Sequence, residues 1–317
     1  MAHTQTDSAR TEAGVLPNLV IAGVMKAGTT SLHTYMAQHP EVCASSKKET
    51  CYFLPLRYDK PVAPIEQYHF NFKHYSGERY VMEATPGYFD GGRKVAQAVK
   101  DTLGHTRVIV VLREPVERLF SFYNFEKAMF FLEADIDFDR YIEACVAMPD
   151  EQVRIQTNHR FWGVRGGFYA DYLQDWYDVF GDDLRVYFFD NLKCNPLALL
   201  GEIYTWLGIE SVAPAALTVE NKTVNYKNAF LHKAALQWNR KFERFLRSYP
   251  FLKDALRRVY FSFNGQPFEE HMSQAARARL QAIYAPYNQR LAAMLRHRGY
   301  TTLPDWLAPA RAAHRQT

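Results

Sequence analysis

The stretch over residues 19–32 constrains this chain most, because a short apolar run there leads into a glycine-bracketed loop and a helical pattern. The run Leu-Val-Ile-Ala ends at Gly23, the loop closes at Gly28, and the helical pattern opens at Thr29. When a strand, a loop and a helix follow one another in this way, backbone N–H groups and the helix N-terminus face an anion. The stretch therefore predicts a phosphate-binding turn in an α/β protein.

This turn departs from the common nucleotide-binding loop at one position. Gly23 and Gly28 have the spacing of G-x-x-x-x-G-K-[ST], and Thr30 fills the Ser/Thr position. Thr29 stands where that pattern has lysine, and the loop's own lysine, Lys26, lies inside it. An ATPase needs the later lysine to reach the β- and γ-phosphates. The loop thus predicts phosphate binding. The lysine that contacts the reacting group would be Lys26, inside the loop, rather than a lysine directly after Gly28.

Alternating apolar runs and helical patterns predict an α/β fold with a mostly parallel central sheet and helices on both faces. Strands are predicted at residues 19–22, near residue 42, and at 80–83, 107–112 and 184–189, with helices at 31–38, 116–130, 169–180, 196–207 and 273–298. Ligands of such sheets bind beyond the carboxyl ends of the strands. Residues 23–30, residues 83–85 and Arg113 all follow strands, so we expect them on one rim.

The loop sequence Gly-x-x-Lys-x-Gly-Thr-Thr-Ser after an apolar strand resembles the 5′-phosphosulfate loop of sulfotransferases that use PAPS (3′-phosphoadenosine 5′-phosphosulfate). A second strand followed by Arg113 and, eight residues on, Ser121 resembles the 3′-phosphate motif of the same family. The resemblance implies a P-loop-like sulfotransferase fold, closest to heparan-sulfate-type and bacterial carbohydrate or metabolite sulfotransferases. It also implies PAPS as donor, PAP (3′-phosphoadenosine 5′-phosphate) as product and no metal.

The resemblance carries roles for individual residues. Lys26 would stabilise the leaving phosphate, and Glu49, in a Lys-Glu-x-x-x-Phe segment, would be the general base. The residues implied to bind the cofactor are Lys26, Ala27, Gly28, Thr29, Thr30, Ser31, Arg113, Ser121, Tyr169, Asn221, Lys222 and Thr223. Those implied to contact the acceptor are Lys48, Glu83, Thr85, Tyr88 and His69.

Three assignments have alternatives. His69 is the other candidate base, because relatives that act on phenols and steroids use a histidine, although its aromatic neighbours favour packing. Arg118 shares a helix face with Ser121 and is either a further phosphate ligand or an ion-pair partner of a nearby glutamate. Heparan enzymes carry a Lys-Gly-Arg cofactor loop where this chain has residues 264–266, Asn-Gly-Gln, so the C-terminal clamp on the cofactor differs.

Composition excludes several classes of protein. A net charge of +4 over 317 residues is too small for a strongly basic nucleic-acid binder and compatible with an anionic cofactor. The four cysteines lack C-x-x-C spacing, which predicts neither a zinc site nor a disulfide framework. No run reaches the roughly 18 apolar residues of a membrane-spanning helix, and the first residues lack the apolar core of a signal peptide. We therefore expect a cytoplasmic protein.

The domain expectation is one sulfotransferase domain over residues 16–307, with a disordered lead (1–15), a flexible tail (308–317) and a helical subregion over 227–300. The basic segment 227–258 is either a surface for an anionic acceptor or membrane headgroups, or a solvated face. The predicted function is transfer of the sulfuryl group from PAPS to a hydroxyl or amine of a carbohydrate, lipid or secondary metabolite. The alternatives are a Mg²⁺-dependent small-molecule kinase and a non-catalytic nucleotide-binding module.

Overall fold

The structure of the protein, a computed structural model, describes residues 10–11, 14–133, 135–217 and 271–308, with ten further positions between 225 and 266. Its strands are β1 (Arg10–Thr11), β2 (Gly14–Val15), β3 (Leu19–Gly23), β4 (Val42–Ala44), β5 (Tyr80–Ala84), β6 (Arg107–Leu112), β7 (Leu184–Phe188), β8 (Asn225–Tyr226) and β9 (Gly265–Gln266). Its α-helices are α1 (Thr29–Met36), α2 (Ile65–His69), α3 (Gly92–Leu103), α4 (Pro115–Ala128), α5 (Phe138–Ala147), α6 (Asp150–Val153), α7 (Tyr169–Phe180), α8 (Phe189–Cys194), α9 (Pro196–Leu207) and α10 (Gln274–His297). Short 3-10 helices lie at Leu54–Tyr58, Phe70–Phe72, Pro86–Gly91, Gln156–Trp162, Arg165–Gly167, Gly181–Asp183 and Asp305–Leu307.

Five parallel strands form the central sheet in the order β4-β5-β3-β6-β7. All five residues of β3 are buried, because this strand lies in the middle of the sheet and helices cover both of its faces. Since the strands are parallel, the segments after β3, β5 and β6 leave the sheet at the same edge. The predicted α/β class, the mostly parallel sheet and the common rim are confirmed.

Helix packing divides the apolar interior into two groups. The larger surrounds the sheet, where α3 packs against α7 and α7 against α10. Trp176 of α7 donates a hydrogen bond to the carbonyl of Phe89 at 3.0 Å, which ties the helix layer to the segment after β5. The smaller group joins α4, α5 and α10 around Phe122, Tyr141 and Leu280. It lies under the helix that follows β6 and fixes the position of that helix.

Local residues set the helix bounds, and those of α1, α4 and α10 differ from the predicted ones by one or two positions at each end. Helix α1 begins at Thr29 rather than residue 31, because Gly28 takes a left-handed backbone conformation and caps it. Helix α4 begins at Pro115, a favoured first position, and the Glu114 side chain caps it by accepting from the N–H of Glu117 at 2.6 Å. Strand β6 and helices α7 and α9 have the predicted bounds.

Part of the predicted cofactor clamp falls outside the described residues. This part is the segment 221–223. Most of the basic segment 227–258, predicted as an acceptor or membrane surface or a solvated face, also lies outside the described residues. Strand β9, in the segment where heparan enzymes carry Lys-Gly-Arg, pairs antiparallel with β8. The single domain over 16–307 stays a prediction. Among the helices described, none is both long and apolar enough to cross a membrane.

Candidate active site

The loop between β3 and α1 forms a backbone cradle at the carboxyl edge of the sheet. Gly28 has a φ of 78°, and an added Cβ there would lie 2.8 Å from Leu192 and 2.9 Å from Phe189. Glycine alone suits both the left-handed backbone and the lack of space. Within a helix, the N–H groups of the first turn have no acceptor of their own. The predicted ligands in or just before that turn are Ala27, Thr29, Thr30 and Ser31.

Lys26 lies inside this loop in a left-handed conformation, with a φ of 68°. Its ammonium stands 4.6 Å from the centroid of the Phe125 ring, and its carbonyl accepts a hydrogen bond from Arg113 at 3.0 Å. Burial and the Arg113 charge lower the pKa of Lys26 from 10.5 to about 8, while Glu49 and Glu126 oppose that shift. The structure thus brings the predicted lysine, arginine and glutamate into one electrostatic environment.

Arg113 follows β6 and reaches back to the loop. Its guanidinium lies 4.7 Å from the Phe189 ring, and its own carbonyl accepts a hydrogen bond from the Tyr169 hydroxyl at 2.8 Å. Tyr169 is buried and supports the backbone of Arg113 through this bond. Ser121 is half-buried and lies two turns into α4, the helix that begins directly after Arg113. An arginine fork and a nearby hydroxyl suit a phosphate dianion.

Glu49 lies in the 48–53 loop, which leaves the sheet edge beside β5. Its N–H donates to the carbonyl of Ala84 at 3.0 Å, and its carboxylate, about half exposed, accepts from Lys48 at 2.6 Å. Glu49 and Cys51 have φ values of 61° and 59°, which cost a non-glycine residue about 1–3 kcal/mol each. Such a loop persists only where its surroundings hold it in place.

A buried carboxylate provides that support. Glu83, fully buried at the end of β5, accepts hydrogen bonds from Thr50 at 2.5 Å, from Thr85 and Tyr88 at 2.7 Å each, and from the Tyr68 hydroxyl. We call these five residues the Glu83 cluster. Burial and the Glu83 charge raise the pKa of Tyr68 and of Tyr88 well above the usual value, so both hydroxyls stay protonated donors.

Glu83, Thr85 and Tyr88 were expected to contact the acceptor. In the structure their side chains are buried, are hydrogen-bonded to one another and pack against the 48–53 loop. The N–H of Cys51 donates to the Thr85 hydroxyl and that of Phe53 to the Tyr88 hydroxyl, both at 3.2 Å. These three side chains therefore contact the loop that carries Glu49.

Two further predicted groups lie in packed surroundings. The His69 ring stands so close to Gly14 that an added Cβ would be 2.4 Å from its Nδ1, and both ring nitrogens are buried without a hydrogen-bond partner. The Arg118 side chain is buried and donates to the carbonyl of Gly163. Arg118 thus ties α4 to the segment before α7, and it makes no ion pair with the described glutamates.

Sequence reasoning missed Glu126, a buried carboxyl on α4. It directly follows Phe125, the ring beneath the Lys26 ammonium, and only 4% of it is exposed. Burial raises the pKa of Glu126 from 4.5 to about 7, against the opposing charges of Arg160 and Lys26. Helical periodicity alone places Glu126 on α4; its approach to Lys26 depends on how α4 crosses the loop.

A second missed feature is the ion pair of Arg57 and Asp90, whose charged atoms lie 3.3 Å apart with both side chains nearly buried. The Arg57 guanidinium also lies 4.4 Å from the Trp162 ring. Beside this pair, a cavity of about 610 Å³ opens between the start of α3, α7 and α10. Neither Lys26 nor Glu49 lines it, so this cavity is separate from the rim. Within the described ranges, no group of three or more metal-ligating side chains is found.

Residues 16–248 match the sulfotransferase domain family. Because this match covers more than half of the chain, the chain belongs to that family, as its two motifs predicted. The fold is similar to that of a sulfotransferase from Alicyclobacillus acidocaldarius, with a TM-score of 0.67 and 21% sequence identity over 93% of this chain and 100% of that one.

Curated relatives include a membrane-associated sulfotransferase, kil1, of Dictyostelium discoideum, 37% identical over 35% of this chain and 23% of its own length. A bifunctional heparan sulfate N-deacetylase/N-sulfotransferase of Drosophila melanogaster is 21% identical over 92% of this chain and 27% of its own. The human heparan sulfate glucosamine 3-O-sulfotransferase 3B1 is 28% identical over 67% of this chain and 51% of its own. The chain therefore spans about a quarter to a half of the length of these relatives.

Proposed function

We propose that the protein transfers the sulfuryl group of PAPS to a hydroxyl or amine of an acceptor. The observation that carries the proposal is the environment of Lys26. This lysine lies in the cradle, and its carbonyl accepts a hydrogen bond from Arg113. The charge of Glu49 raises the pKa of the Lys26 ammonium. A phosphate cradle, a second phosphate-binding cation and a candidate base therefore meet around one ammonium group.

The residues present suit such a donor. Gly28 leaves a concave turn that a Cβ would fill, at the start of a helix whose first N–H groups favour an anion. Residues 26–31 would hold the 5′-phosphate, and Arg113 with Ser121 would hold the 3′-phosphate. PAPS supplies an activated sulfuryl group with a phosphate as its leaving group.

The chain's own residues have separable tasks in this transfer. Lys26 as the ammonium form neutralises the charge that develops at the leaving oxygen, in surroundings that exclude part of the solvent. Arg113 and Ser121 orient the nucleotide by a contact remote from the reacting bond. Glu49 takes the proton of the attacking hydroxyl or amine, and Lys48 holds the Glu49 carboxylate at 2.6 Å.

The acceptor class we propose to test first is carbohydrate, because the relatives aligned over most of this chain are named for heparan sulfate. Lipid and secondary-metabolite hydroxyls remain in the same test. A cytoplasmic location is likewise a proposal, which fractionation of host cells would check.

The test is transfer of ³⁵S from labelled PAPS to a panel of desulfated glycosaminoglycans, lipids, phenols and host-extract fractions, with chelator present. We expect labelled product with the wild-type protein and at least about 100-fold less with Lys26→Ala. The Lys60→Ala variant is the matched control, since that lysine is exposed and its ammonium donates to the Gln156 side chain at 2.6 Å. PAP binding without any transfer would instead support the nucleotide-binding module, and Mg²⁺-dependent use of ATP would support the kinase.

A further inference from the structure

Glu49 lies in a loop that is hydrogen-bonded to the buried residues Glu83, Thr85 and Tyr88. We propose that Glu83 is a positioning residue, which holds Thr50 and thereby the 48–53 loop so that Glu49 faces Lys26. The inference rests on the proposed function for its catalytic meaning. It assigns to Glu83, Thr85 and Tyr88 a role other than acceptor contact.

The geometry of the Glu83 cluster carries the first step. Thr50 stands between Glu49 and Cys51, the two residues with left-handed backbones, and its hydroxyl bonds to Glu83 at 2.5 Å. The bond therefore fastens the loop at the centre of its strained part. The N–H of Tyr52 also lies 3.4 Å from the Thr50 hydroxyl, so this one group orders the backbone on its C-terminal side as well.

Hydrogen-bond capacity carries the second step. The hydroxyls of Thr50, Thr85 and Tyr88 donate to one carboxyl oxygen of Glu83, and the Tyr68 hydroxyl donates to the other, so both oxygens are acceptors. A glutamine at 83 would have one accepting oxygen and a donating amide, so the four hydroxyls could no longer all donate to it. The four donors come from the loop, α2 and the segment after β5. The negative charge at Glu83 thus holds three parts of the chain together.

Burial carries the third step. Glu83 and Tyr88 are fully buried and Thr85 is 2% exposed, so an acceptor reaches them only if the 48–53 loop leaves the sheet edge. The amides of Cys51 and Phe53 bond to Thr85 and Tyr88, which keeps that loop in place. The cluster therefore acts on the reaction through the loop.

The sharpest test separates Thr50 from Glu83. Thr50→Val keeps the shape of the side chain and removes only its hydroxyl, and we expect kcat to fall at least 10-fold while PAP affinity stays within 2-fold. Thr50→Ser, which restores a hydroxyl, should recover at least half of the wild-type kcat. Thr205→Val is the matched control, because that exposed hydroxyl donates to the carbonyl of Gly201 within its own helix, α9.

A double variant distinguishes positioning from general stability. If Thr50 acts through Glu49, adding Thr50→Val to Glu49→Gln should lower kcat by no more than a further 2-fold. If the fold-losses of kcat in the two single variants multiply in the double variant, or if Thr50→Val has the wild-type kcat, the proposal is overturned. A change in acceptor KM alone, which would mark Thr50 as an acceptor contact, would also overturn it.

Hydrogen exchange provides a readout that needs no activity. In Thr50→Val the amides of Glu49, Cys51 and Phe53 should exchange at least 10-fold faster than in the wild type, while those of β6 are unchanged. If the wild type transfers no sulfuryl group, the proposed function fails, and this exchange result still decides whether the Glu83 cluster holds the loop. Unchanged exchange in the loop would overturn the positioning role.

Discussion

In the proposed transfer, single residues around Lys26 divide the chemistry between the donor and the acceptor sides. Lys26 belongs to the phosphate cradle, and its carbonyl accepts a hydrogen bond from Arg113. Glu49 lies in a different loop, beside β5. Each carries a left-handed backbone that glycine would adopt more easily. Lys26 and Glu49 are present in spite of the free-energy cost of this backbone conformation. Strained backbone of this kind is common at functional sites.

The base assignment makes the first prediction at this scale. Glu49→Gln keeps the shape of the side chain and removes its basicity, so kcat should fall by roughly 10²–10⁴ while PAP affinity changes little. His69→Ala should lower kcat far less once turnover is expressed per folded molecule, because His69 packs against Gly14. Steady-state kinetics and calorimetry on both variants check this. Loss of turnover in His69→Ala with most of it retained in Glu49→Gln would mean that the base is misassigned.

A second residue-scale prediction concerns pH. The ammonium form of Lys26 predominates below its pKa of about 8, so the rate should fall as pH rises through that value. Glu126, ionised above its pKa of about 7, supports this ammonium in the same range. Glu126→Gln should therefore move the alkaline limb of the pH–rate profile to lower pH by roughly half a unit. An unmoved limb would show that Glu126 does not act on Lys26.

Stability offers an independent check on Glu126. Its pKa is higher in the folded protein than the ordinary 4.5, so folded-state stability is lost as pH rises from 4.5 to about 7. Glu126→Gln removes that loss and should raise the free energy of unfolding at pH 8 by about 1–3 kcal/mol, with the gain absent below pH 4.5. Glu143→Gln, an exposed carboxyl on α5, is the matched control. Denaturant melts at both pH values measure the difference.

At the scale of elements, the turn from β3 to α1 depends on one glycine. Gly28→Ala combines a left-handed backbone with contacts of 2.8–2.9 Å, so we expect a loss of about 2–4 kcal/mol of unfolding free energy. Gly208→Ala is the matched control, since its φ of 69° and ψ of 34° give the same left-handed conformation, and the nearest atom to the added Cβ is the end of the Arg79 side chain at 3.4 Å. Any excess loss in Gly28→Ala is the effect of crowding by Leu192 and Phe189.

The same pair of variants separates folding from binding. Gly28→Ala should weaken PAP binding at least about 10-fold because the first turn of α1 can no longer keep its place. Gly208→Ala should leave PAP affinity unchanged. Equal effects of the two substitutions on both stability and affinity would contradict the role of Gly28 in the cradle.

At the scale of the whole molecule, the sequence was informative where signals are local. The β-branched run of β6 and the glycines around Lys26 predicted the sheet and the rim, because strand propensity and backbone conformation are encoded within a few residues. The resemblance assigned Glu83, Thr85 and Tyr88 to acceptor contact, and their hydrogen bonds to Thr50 were not predictable, because these join residues 33 and 38 positions apart in the chain. Glu126 was missed for a similar reason, because its partner Lys26 is 100 residues away in sequence.

The central claim is that one molecule offers two separate phosphate sites, and calorimetric titration with PAP and with 5′-AMP tests it most directly. PAP should bind at least about 10-fold more tightly than 5′-AMP without added metal, because only PAP engages Arg113 and Ser121. Arg113→Ala should cost about 1.5–3 kcal/mol with PAP and much less with 5′-AMP, which controls for damage to the loop through the carbonyl of Lys26. Equal affinities of the wild-type protein for the two nucleotides would contradict the account.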